Sequence, residues 1–556
     1  MTKFKNFLGN LGYSGLLIML ACGMTILKTW AFDNDTWFIL NCGRYVTETG
    51  TLPHVEFATI HENLHYVMEQ WLTAVIFWKI YSNFGADGLI TFAWLIGFIL
   101  MFVHYKFCLY VSGGNKKVSA ILTFILSLFV PLAFIVTRPQ IISALLLLIE
   151  IFLLEKFSRE KKIWTLCLLP VISAFFVNLH AALFPMLIVV MLPFIAESLY
   201  LKIKPASNFD LPLKPLILAA AGVFLAGFTN PYGWEAMTFI FTSYNPMIHK
   251  VIAEVKPTAA DNFISVIFFG FSALLIFAFS KKNIPLRYFF LTLGTMILGF
   301  YAFRSTFLFF MLGTFPLAYA AKDLQLFDKT FNLKYKLFLP LFIVSLFEIY
   351  PVYRIASTST QEFHLPIKII SCLSIIFLIC FIFFYRREGK LFSEEIFILR
   401  RKPLIALAVI QLVLFSVYSY FLIPERKYEI YKPAIDFLLK ENRAEDIRLW
   451  TGFHSGGYAE FRRIKTYLDA RPEIFAKSNN HQKDIIIEYL ELINGDLNYK
   501  EVFSQYNFTH IFITTEEKIP YLMMADDKNF ELLFEYDFEQ WNKKMHGRLY
   551  KVLKND

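Results

Sequence analysis

Long apolar runs separated by short polar loops make up most of the chain as far as about residue 425. A helix of about twenty apolar residues can cross the hydrocarbon core of a bilayer. The pattern predicts about thirteen such helices. They lie at residues 11–31, 89–110, 120–136, 140–154, 164–177, 181–200, 216–228, 263–279, 288–302, 307–321, 337–353, 367–385 and 404–422. A further apolar run at 71–81 is too short to span, and we expect it to be interfacial or re-entrant.

The composition supports a membrane protein and argues against two other classes. Hydrophobic residues make up 56% of the 556 positions, and only 18% are charged, too few to cover a soluble protein of this size. The net charge of +9 comes from short basic clusters between apolar runs, so nucleic acid is not an expected partner. The six cysteines are scattered and form neither a disulfide framework nor a Cys-x-x-Cys metal site.

The basic clusters also predict the orientation. They follow every second span, at 106–117, 156–162, 202–204, 281–282, 322–336 and 386–402. Loops rich in Lys and Arg stay in the cytoplasm. We therefore expect a multi-pass protein of the cell membrane with a cytoplasmic amino terminus and, because the span count is odd, an extracytoplasmic carboxyl terminus.

Beyond residue 425 the pattern changes to amphipathic helices alternating with short β-branched or aromatic runs. Helices are predicted at 431–439 and 484–492, and strands at 447–451, 465–468, 511–515 and 549–553. The predicted fold is thus a mostly α-helical polytopic membrane domain, residues 1–425, followed by an extracytoplasmic α/β domain, residues 426–556. The first extracytoplasmic loop covers residues 32–70.

That loop is acidic and aromatic and carries the first candidate site residues. They are Asp33, Asp35, Trp37, Arg44, Glu56 and Glu69. Carboxylates held just beyond a membrane span usually serve chemistry or ion handling. Asp35 is favoured over Asp33 because aromatic and apolar residues follow it closely.

Further polar residues lie at the predicted outer ends of later spans. They are Arg138, Asn178, His180, Asn230, Tyr232, His249, Lys250 and Arg304. All are expected on the same side as Asp35, so several outer loops could line one cavity at the membrane surface. The segment from Asn230 to Gly233 is also a good turn sequence on its own.

The order of these motifs resembles the GT-C superfamily of multispanning glycosyltransferases, and in particular a poorly described bacterial branch. The first loop contains Asp-x-Trp, Gly-Arg-Tyr, Gly-x-x-Pro and Glu-x-Trp-Leu in succession. Arg-Pro-Gln at 138–140, Asn-Leu-His at 178–180 and Asn-Pro-Tyr-Gly at 230–233 follow, with Gly-Gly-Tyr at 456–458 and Asp-Ala-Arg at 469–471 in the tail. The resemblance extends over the whole chain.

The resemblance implies an inverting transfer of a sugar from a polyprenyl-phosphate donor to a glycan, lipid or protein acceptor. A carboxylate of the first loop would be the general base, with Asp35 in that position and Asp33 as the alternative. Many relatives have an adjacent Asp-Glu pair there, whereas this chain has Asp33-Asn-Asp35-Thr36. Arg138, Arg304, His249 and Lys250 are the candidates for binding the donor phosphate.

No cofactor is required by the sequence, although some relatives need a divalent metal. Candidate ligands for such an ion are Asp33, Asp35, Glu56 and His180, whose spacing gives no coordination geometry. Two other functions stay open: a transporter or flippase for a lipid-linked glycan, and a non-catalytic scaffold with a polymer-binding tail. Polar groups at span ends rather than at mid-membrane, together with the outer domain, favour the enzyme over the transporter.

Overall fold

The structure is a computed structural model that describes residues 14–15, 17–18, 21–22, 32, 34–129, 137–204, 210–243, 256–258, 263–323, 430–540 and 543–553. The predicted spans at 337–353, 367–385 and 404–422 lie outside the described residues, as does most of the span at 11–31. The same holds for the candidate residues Asp33, His249 and Lys250.

The described part of the membrane domain is built from helices. They are α1 (Asn34–Thr49), α2 (Trp71–Val111), α3 (Lys116–Leu128), α4 (Gln140–Glu160), α5 (Trp164–Cys167), α6 (Leu169–Leu179), α7 (Pro185–Ile203), α8 (Leu213–Ala226), α9 (Trp234–Ser243), α10 (Phe263–Lys281), α11 (Leu286–Tyr301) and α12 (Thr306–Ala320). The chain is therefore mostly helical, as predicted.

Length and hydropathy alone identify few certain spans among the described helices. Trp71–Val111 and Ala181–Ile203 are long and apolar enough to cross a membrane. A third span results if Leu213–Thr229 and Trp234–Ser243, which meet at 93°, are one broken helix. The count of thirteen stays a prediction.

Helix α2 contains two of the predicted elements. Gly85, with φ 64° and ψ −159°, interrupts it between the run expected to be interfacial and the span expected at 89–110. A positive φ is accessible to glycine without steric cost, so Gly85 allows the chain to change direction here. An apolar segment at the membrane surface can thus lead directly into a span.

A buried ionic network joins three helices at the end of the bundle opposite to the first loop's candidate residues. The guanidinium of Arg287 lies 2.7 Å from Glu155 and 2.6 Å from Glu197, and Arg159 lies 2.6 Å from Glu155. Arg287 and Glu155 are almost fully buried. Because removal of one partner leaves an uncompensated buried charge, this network fixes how α4, α7 and α11 pack.

The carboxyl-terminal domain combines short helices with one sheet. Its helices are α13 (Lys432–Glu441), α14 (Gly456–Phe461), α15 (Lys477–Asn480), α16 (Ile485–Asn494), α17 (Tyr499–Tyr506) and α18 (Lys518–Met523). Its strands are β1 (Arg448–Trp450), β2 (Lys465–Thr466), β3 (His510–Thr514), β4 (Phe530–Gln540) and β5 (Lys543–Val552). Strand β4 was not predicted, whereas all four predicted strands are present with shifted ends.

The five strands are ordered β2-β1-β3-β5-β4. Strands β2, β1 and β3 are parallel, and the β4–β5 hairpin adds to β3 in antiparallel orientation. All five residues of β3 are buried, which is typical of a central strand covered on both faces. The hydrophobic core of this domain is therefore centred on β3 and β1.

The first loop packs closely against this domain. The backbone N–H of Ile60 donates to the carbonyl of Thr466 at 2.9 Å, so the loop extends the edge of the sheet at β2. A Cβ on Gly457 would lie 3.3 Å from the carbonyl oxygen of Asn34, which explains why glycine suits this position of α14. These contacts place the start of α1 beside the carboxyl-terminal domain.

Candidate active site

A cavity at one end of the helix bundle brings together five of the candidate residues from separate parts of the sequence. We call it the central cavity; it encloses about 740 Å³, including its opening to solvent. The five candidates that line it are Asp35, Glu69, Arg138, His180 and Arg304.

Asp35 and Arg138 form an ion pair across the cavity wall. Asp35 lies in the first turn of α1, where the helix dipole favours a carboxylate. Arg138 precedes α4, and its Nη2 lies 3.1 Å from Oδ2 of Asp35. The hydroxyls of Thr36 and Thr137, 2.6 Å apart and buried, join the same two segments. The pair is thus held in place by its neighbours on both sides.

Glu69 and His180 lie on another wall, at the start of α2 and at the turn after α6. Burial raises the pKa of Glu69 to about 8 and lowers the pKa of His180 to about 3. Both groups are therefore mainly neutral at pH 7, and their contact of 3.9 Å is not an ion pair. His180 Nδ1 lies 2.7 Å from the hydroxyl of Ser143, which orients the ring.

Arg304 lies in the short turn between α11 and α12 and brings a second guanidinium to the cavity. Its pKa is lowered to about 10, mainly by burial and then by the like charge of Arg138, while Asp35, Glu69 and Glu473 act in the opposite direction. Arg304 stays protonated at pH 7. The like charges of Arg304 and Arg138 repel each other. An anion bound between them would relieve this repulsion.

The carboxyl-terminal domain contributes Glu473, which sequence reasoning did not single out. Burial raises the pKa of this carboxyl to about 7, and Asp469 adds to the shift while Arg471 opposes it. The residue follows the Asp-Ala-Arg motif at 469–471 by two positions, and that proximity was the available signal. Gln140, the last residue of the Arg-Pro-Gln motif, also lines the cavity.

Three candidates from the first loop lie outside the central cavity and bind the carboxyl-terminal domain instead. The Trp37 ring packs against Tyr458 with 4.9 Å between the ring centroids. Arg44 donates to the carbonyl oxygen of Phe461 at 2.8 Å. Glu56 is buried, and its Oε1 lies 3.0 Å from Nη2 of Arg471. All three therefore act in the structure as interface residues rather than as cavity residues.

Asn178, Asn230 and Tyr232 also lie outside the lining of the central cavity. The Asn178 side chain accepts a hydrogen bond from the Trp71 indole at 2.8 Å. Asn230 Oδ1 accepts from the backbone N–H of Tyr232 at 2.9 Å, the geometry of a side-chain-capped turn. The Tyr232 hydroxyl donates to the carbonyl of Pro53 at 2.7 Å. These contacts hold the loops around the cavity.

The proposed metal ligands do not converge within the described part of the chain. Glu56 is held by Arg471 and by the backbone amide of Ala58, away from Asp35 and His180. Among the described residues, no group of three or more His, Cys, Asp or Glu side chains is arranged to hold a metal ion. Asp33 lies outside the described residues, so the metal site stays a prediction.

No protein-family model and no curated protein matches the sequence. Solved structures do match. The oligosaccharyltransferase of Archaeoglobus fulgidus, crystallised with a tethered acceptor peptide, has a TM-score of 0.51 and 11% identity over 92% of this chain and 70% of that chain. ArnT of Cupriavidus metallidurans in the apo state has a TM-score of 0.50 and 10% identity over 96% of this chain and 97% of that chain. The same ArnT bound to undecaprenyl phosphate has a TM-score of 0.48 and 10% identity, with 97% of each chain covered.

Both enzymes are glycosyltransferases of the multispanning GT-C type. Their sequence identity to this chain is 10% and 11%, so the likeness concerns the fold alone. The expected resemblance is confirmed at the level of the fold, which this chain shares with the two enzymes.

Proposed function

We propose that this protein is a membrane glycosyltransferase that transfers a hexosyl residue from a polyprenyl-phosphate donor to an extracytoplasmic acceptor, with inversion at the anomeric carbon. The observation that carries the proposal is the central cavity, where an acid from the first loop meets two guanidiniums from two other helix ends. The GT-C fold supports the class of reaction.

The donor phosphate is assigned to Arg138 and Arg304. A phosphate is an anion with several acceptor oxygens, and the planar guanidinium of Arg matches two of them at once. In the transition state, negative charge develops on the bridging oxygen as the sugar departs. Cations fixed beside that oxygen stabilise the transition state more than the ground state, which is what accelerates the reaction.

The general base is assigned to Asp35. Its carboxylate accepts the proton of the acceptor hydroxyl while the hydroxyl oxygen attacks the anomeric carbon. The bond from that carbon to the phosphate oxygen breaks, and the polyprenyl phosphate leaves as an anion. Arg138 carries five N–H donors, so it can keep one on Asp35 while others bind the phosphate. Asp33 is the alternative base.

The proposal places the central cavity on the extracytoplasmic side of the cell membrane. The basic clusters at the other ends of the helices support that orientation. The acceptor is a glycan, lipid or protein of the cell envelope, and no metal ion is assigned a role.

The test is a transfer assay with the full-length chain in proteoliposomes. A panel of polyprenyl-phosphate hexoses, labelled in the sugar, is added together with cell-envelope extract as the acceptor source. We expect release of polyprenyl phosphate in step with labelled product. Movement of intact lipid-linked sugar between leaflets without cleavage would instead identify a flippase. If the protein shows neither transfer nor movement between leaflets, the scaffold function is favoured.

A further inference from the structure

A second cavity opens beside the central one, and we call it the side cavity. It is formed by the first loop, by α9 and by the segment around α15, and it encloses about 550 Å³ including its mouth. Phe239 and Glu473 line both cavities. These two residues therefore lie between the two cavities.

The side cavity differs in chemistry from the central one. None of the described residues lining it is Lys or Arg, whereas Arg138 and Arg304 line the central cavity. Its polar groups are imidazoles, carboxylates, hydroxyls and one amide, which offer both donors and acceptors. Such a lining suits an uncharged ligand with several hydroxyl groups better than an anion.

One wall of the side cavity carries a stacked pair of imidazoles, which we call the platform. The imidazoles of His65 and His481 stack at an interplanar angle of 26°, with 5.6 Å between their centroids. His65 Nε2 lies 3.4 Å from Oε2 of Glu235 on α9. An outer ring face of this pair offers a surface for the C–H groups of a pyranose, and the adjacent carboxylate accepts hydrogen bonds from its hydroxyls.

The platform is held by contacts between distant segments. His481 has φ 59°, a left-handed conformation that is uncommon for a residue other than glycine. The side chain of the next residue, Gln482, donates to the carbonyl of Asn63 at 2.6 Å, two positions before His65. The first loop and the carboxyl-terminal domain thus jointly fix the geometry of the two imidazoles.

We propose that the side cavity binds the acceptor as a sugar residue, with its ring on the His65–His481 platform and its hydroxyls on Glu235 and Glu473. The reacting hydroxyl then points past Glu473 toward Asp35 in the central cavity. The role as acceptor rests on the proposed glycosyl transfer, whereas binding of a sugar at this place does not. The burial that raises the pKa of Glu473 is consistent with a carboxyl that donates or accepts a hydrogen bond near pH 7.

The test measures binding of methyl glycosides by saturation-transfer NMR to the full-length chain in nanodiscs free of glycolipid. The panel comprises the methyl glycosides of glucose, galactose, mannose and N-acetylglucosamine, and a serine-rich peptide represents a protein acceptor. The variants are Glu235→Gln and His65→Ala. The matched control is Glu535→Gln, which removes a carboxylate that likewise lies beside an imidazole, 3.2 Å from His546, but on the β4–β5 hairpin.

We expect at least one glycoside to bind, and Glu235→Gln to weaken its affinity by about tenfold to a hundredfold, the usual effect of losing a hydrogen bond to a charged group. His65→Ala, which removes one of the two rings, should also weaken it, and Glu535→Gln should not. The proposal is overturned if no glycoside binds, if Glu235→Gln has no more effect than Glu535→Gln, or if only the peptide binds. Undecaprenyl phosphate binding, measured in parallel, tests the donor site separately: its failure would count against the proposed transfer and not against the sugar site.

Discussion

Arg138 Nη2 lies 3.1 Å from Asp35 Oδ2, and this contact joins the start of α4 to the first turn of α1 at the wall of the central cavity. About a quarter of the Asp35 side chain and a tenth of the Arg138 side chain are exposed. An ion pair so placed is screened less by water than a surface pair. The proposed base and the proposed phosphate ligand are therefore already adjacent before substrate binds.

Replacing Asp35 by Asn should abolish most of the transfer while leaving the donor bound. Asparagine keeps the shape of the side chain but cannot accept a proton. Loss of a general base typically lowers the rate by about 10²- to 10⁴-fold. The measurement is release of polyprenyl phosphate from the labelled donor, with donor affinity determined separately on the same preparation.

Asp33→Asn and Asp537→Asn are the companion variants. Asp537 lies on β4, where it pairs with His546, so its replacement should not alter the rate. If Asp33→Asn abolishes transfer and Asp35→Asn does not, the base is Asp33. Normal rates in both variants would refute the catalytic assignment and favour a transporter.

Replacing Arg304 by Ala should weaken donor binding by about tenfold to a hundredfold, because a charge-assisted hydrogen bond to phosphate is lost. Arg138→Ala should do the same and should also lower the rate, since it removes the partner of Asp35. Affinity for undecaprenyl phosphate is measured by titration in nanodiscs. Arg443→Ala, which removes an exposed guanidinium paired with Glu445, serves as control and should leave the affinity unchanged.

Glu69 should make the folded protein less stable as the pH rises from about 5 to 8. Burial raises its pKa in the folded state to about 8, with Glu473 and Asp35 adding to the shift and Arg304 opposing it. The folded state therefore binds a proton more tightly than the unfolded state, so the stabilisation is complete below the unfolded pKa and is lost as the pH rises through the folded pKa. Glu69→Gln should flatten the fall of Tm between pH 5 and 8. An unchanged slope would mean that Glu69 is ionised in the fold.

The long apolar helices could be predicted because their signal is local. Helix α1 was not predicted, since residues 32–70 were expected to form a loop. An apolar run of sufficient length has few alternatives to a buried or membrane helix, and the runs at 140–154 and 181–200 correspond to α4 and α7. Strand β4 was missed although its sequence has the period of a half-buried strand. Aromatic residues at 534, 536 and 538 alternate there with acidic residues at 535 and 537. The strand pairs with β5 along the edge of the sheet.

The composition of the cavity was only partly predictable, since a sequence pattern does not tell which way a loop residue faces. Residues 32–70 were expected to be a loop, but Asp35 and Trp37 lie two positions apart in helix α1 and therefore face different ways: Asp35 lines the cavity and Trp37 packs on Tyr458. Glu473 reaches the cavity through the docking of the carboxyl-terminal domain on the first loop. That long-range contact leaves no periodic trace in the sequence.

Arg471→Ala should destabilise the folded chain by about 3–5 kcal/mol, the usual cost of leaving buried carboxylates without their cation. The Arg471 guanidinium is fully surrounded and contacts Asp469, Glu56 at 3.0 Å and Glu460 at 3.2 Å. Because Glu56 belongs to the first loop, the loop should also become accessible to protease. Thermal unfolding and limited proteolysis measure the two effects. Arg471→Lys should be little more stable than Arg471→Ala, since a single ammonium cannot replace a planar guanidinium that binds three carboxylates.

Cysteine labelling of intact cells should place Glu62 and Asn479 on the extracytoplasmic side. Gln482 donates to the carbonyl of Asn63, so the two labelled segments must lie on the same side of the membrane. The basic clusters predict that this side is outside.

The experiment uses Glu62→Cys and Asn479→Cys in a chain whose six native cysteines are replaced by alanine, and Lys282→Cys as the reference for a basic loop. We expect an impermeant maleimide to react with the first two in intact cells and with the third only after permeabilisation. Reaction of Lys282→Cys alone in intact cells would invert the topology and place the central cavity in the cytoplasm, where the proposed extracytoplasmic transfer could not occur.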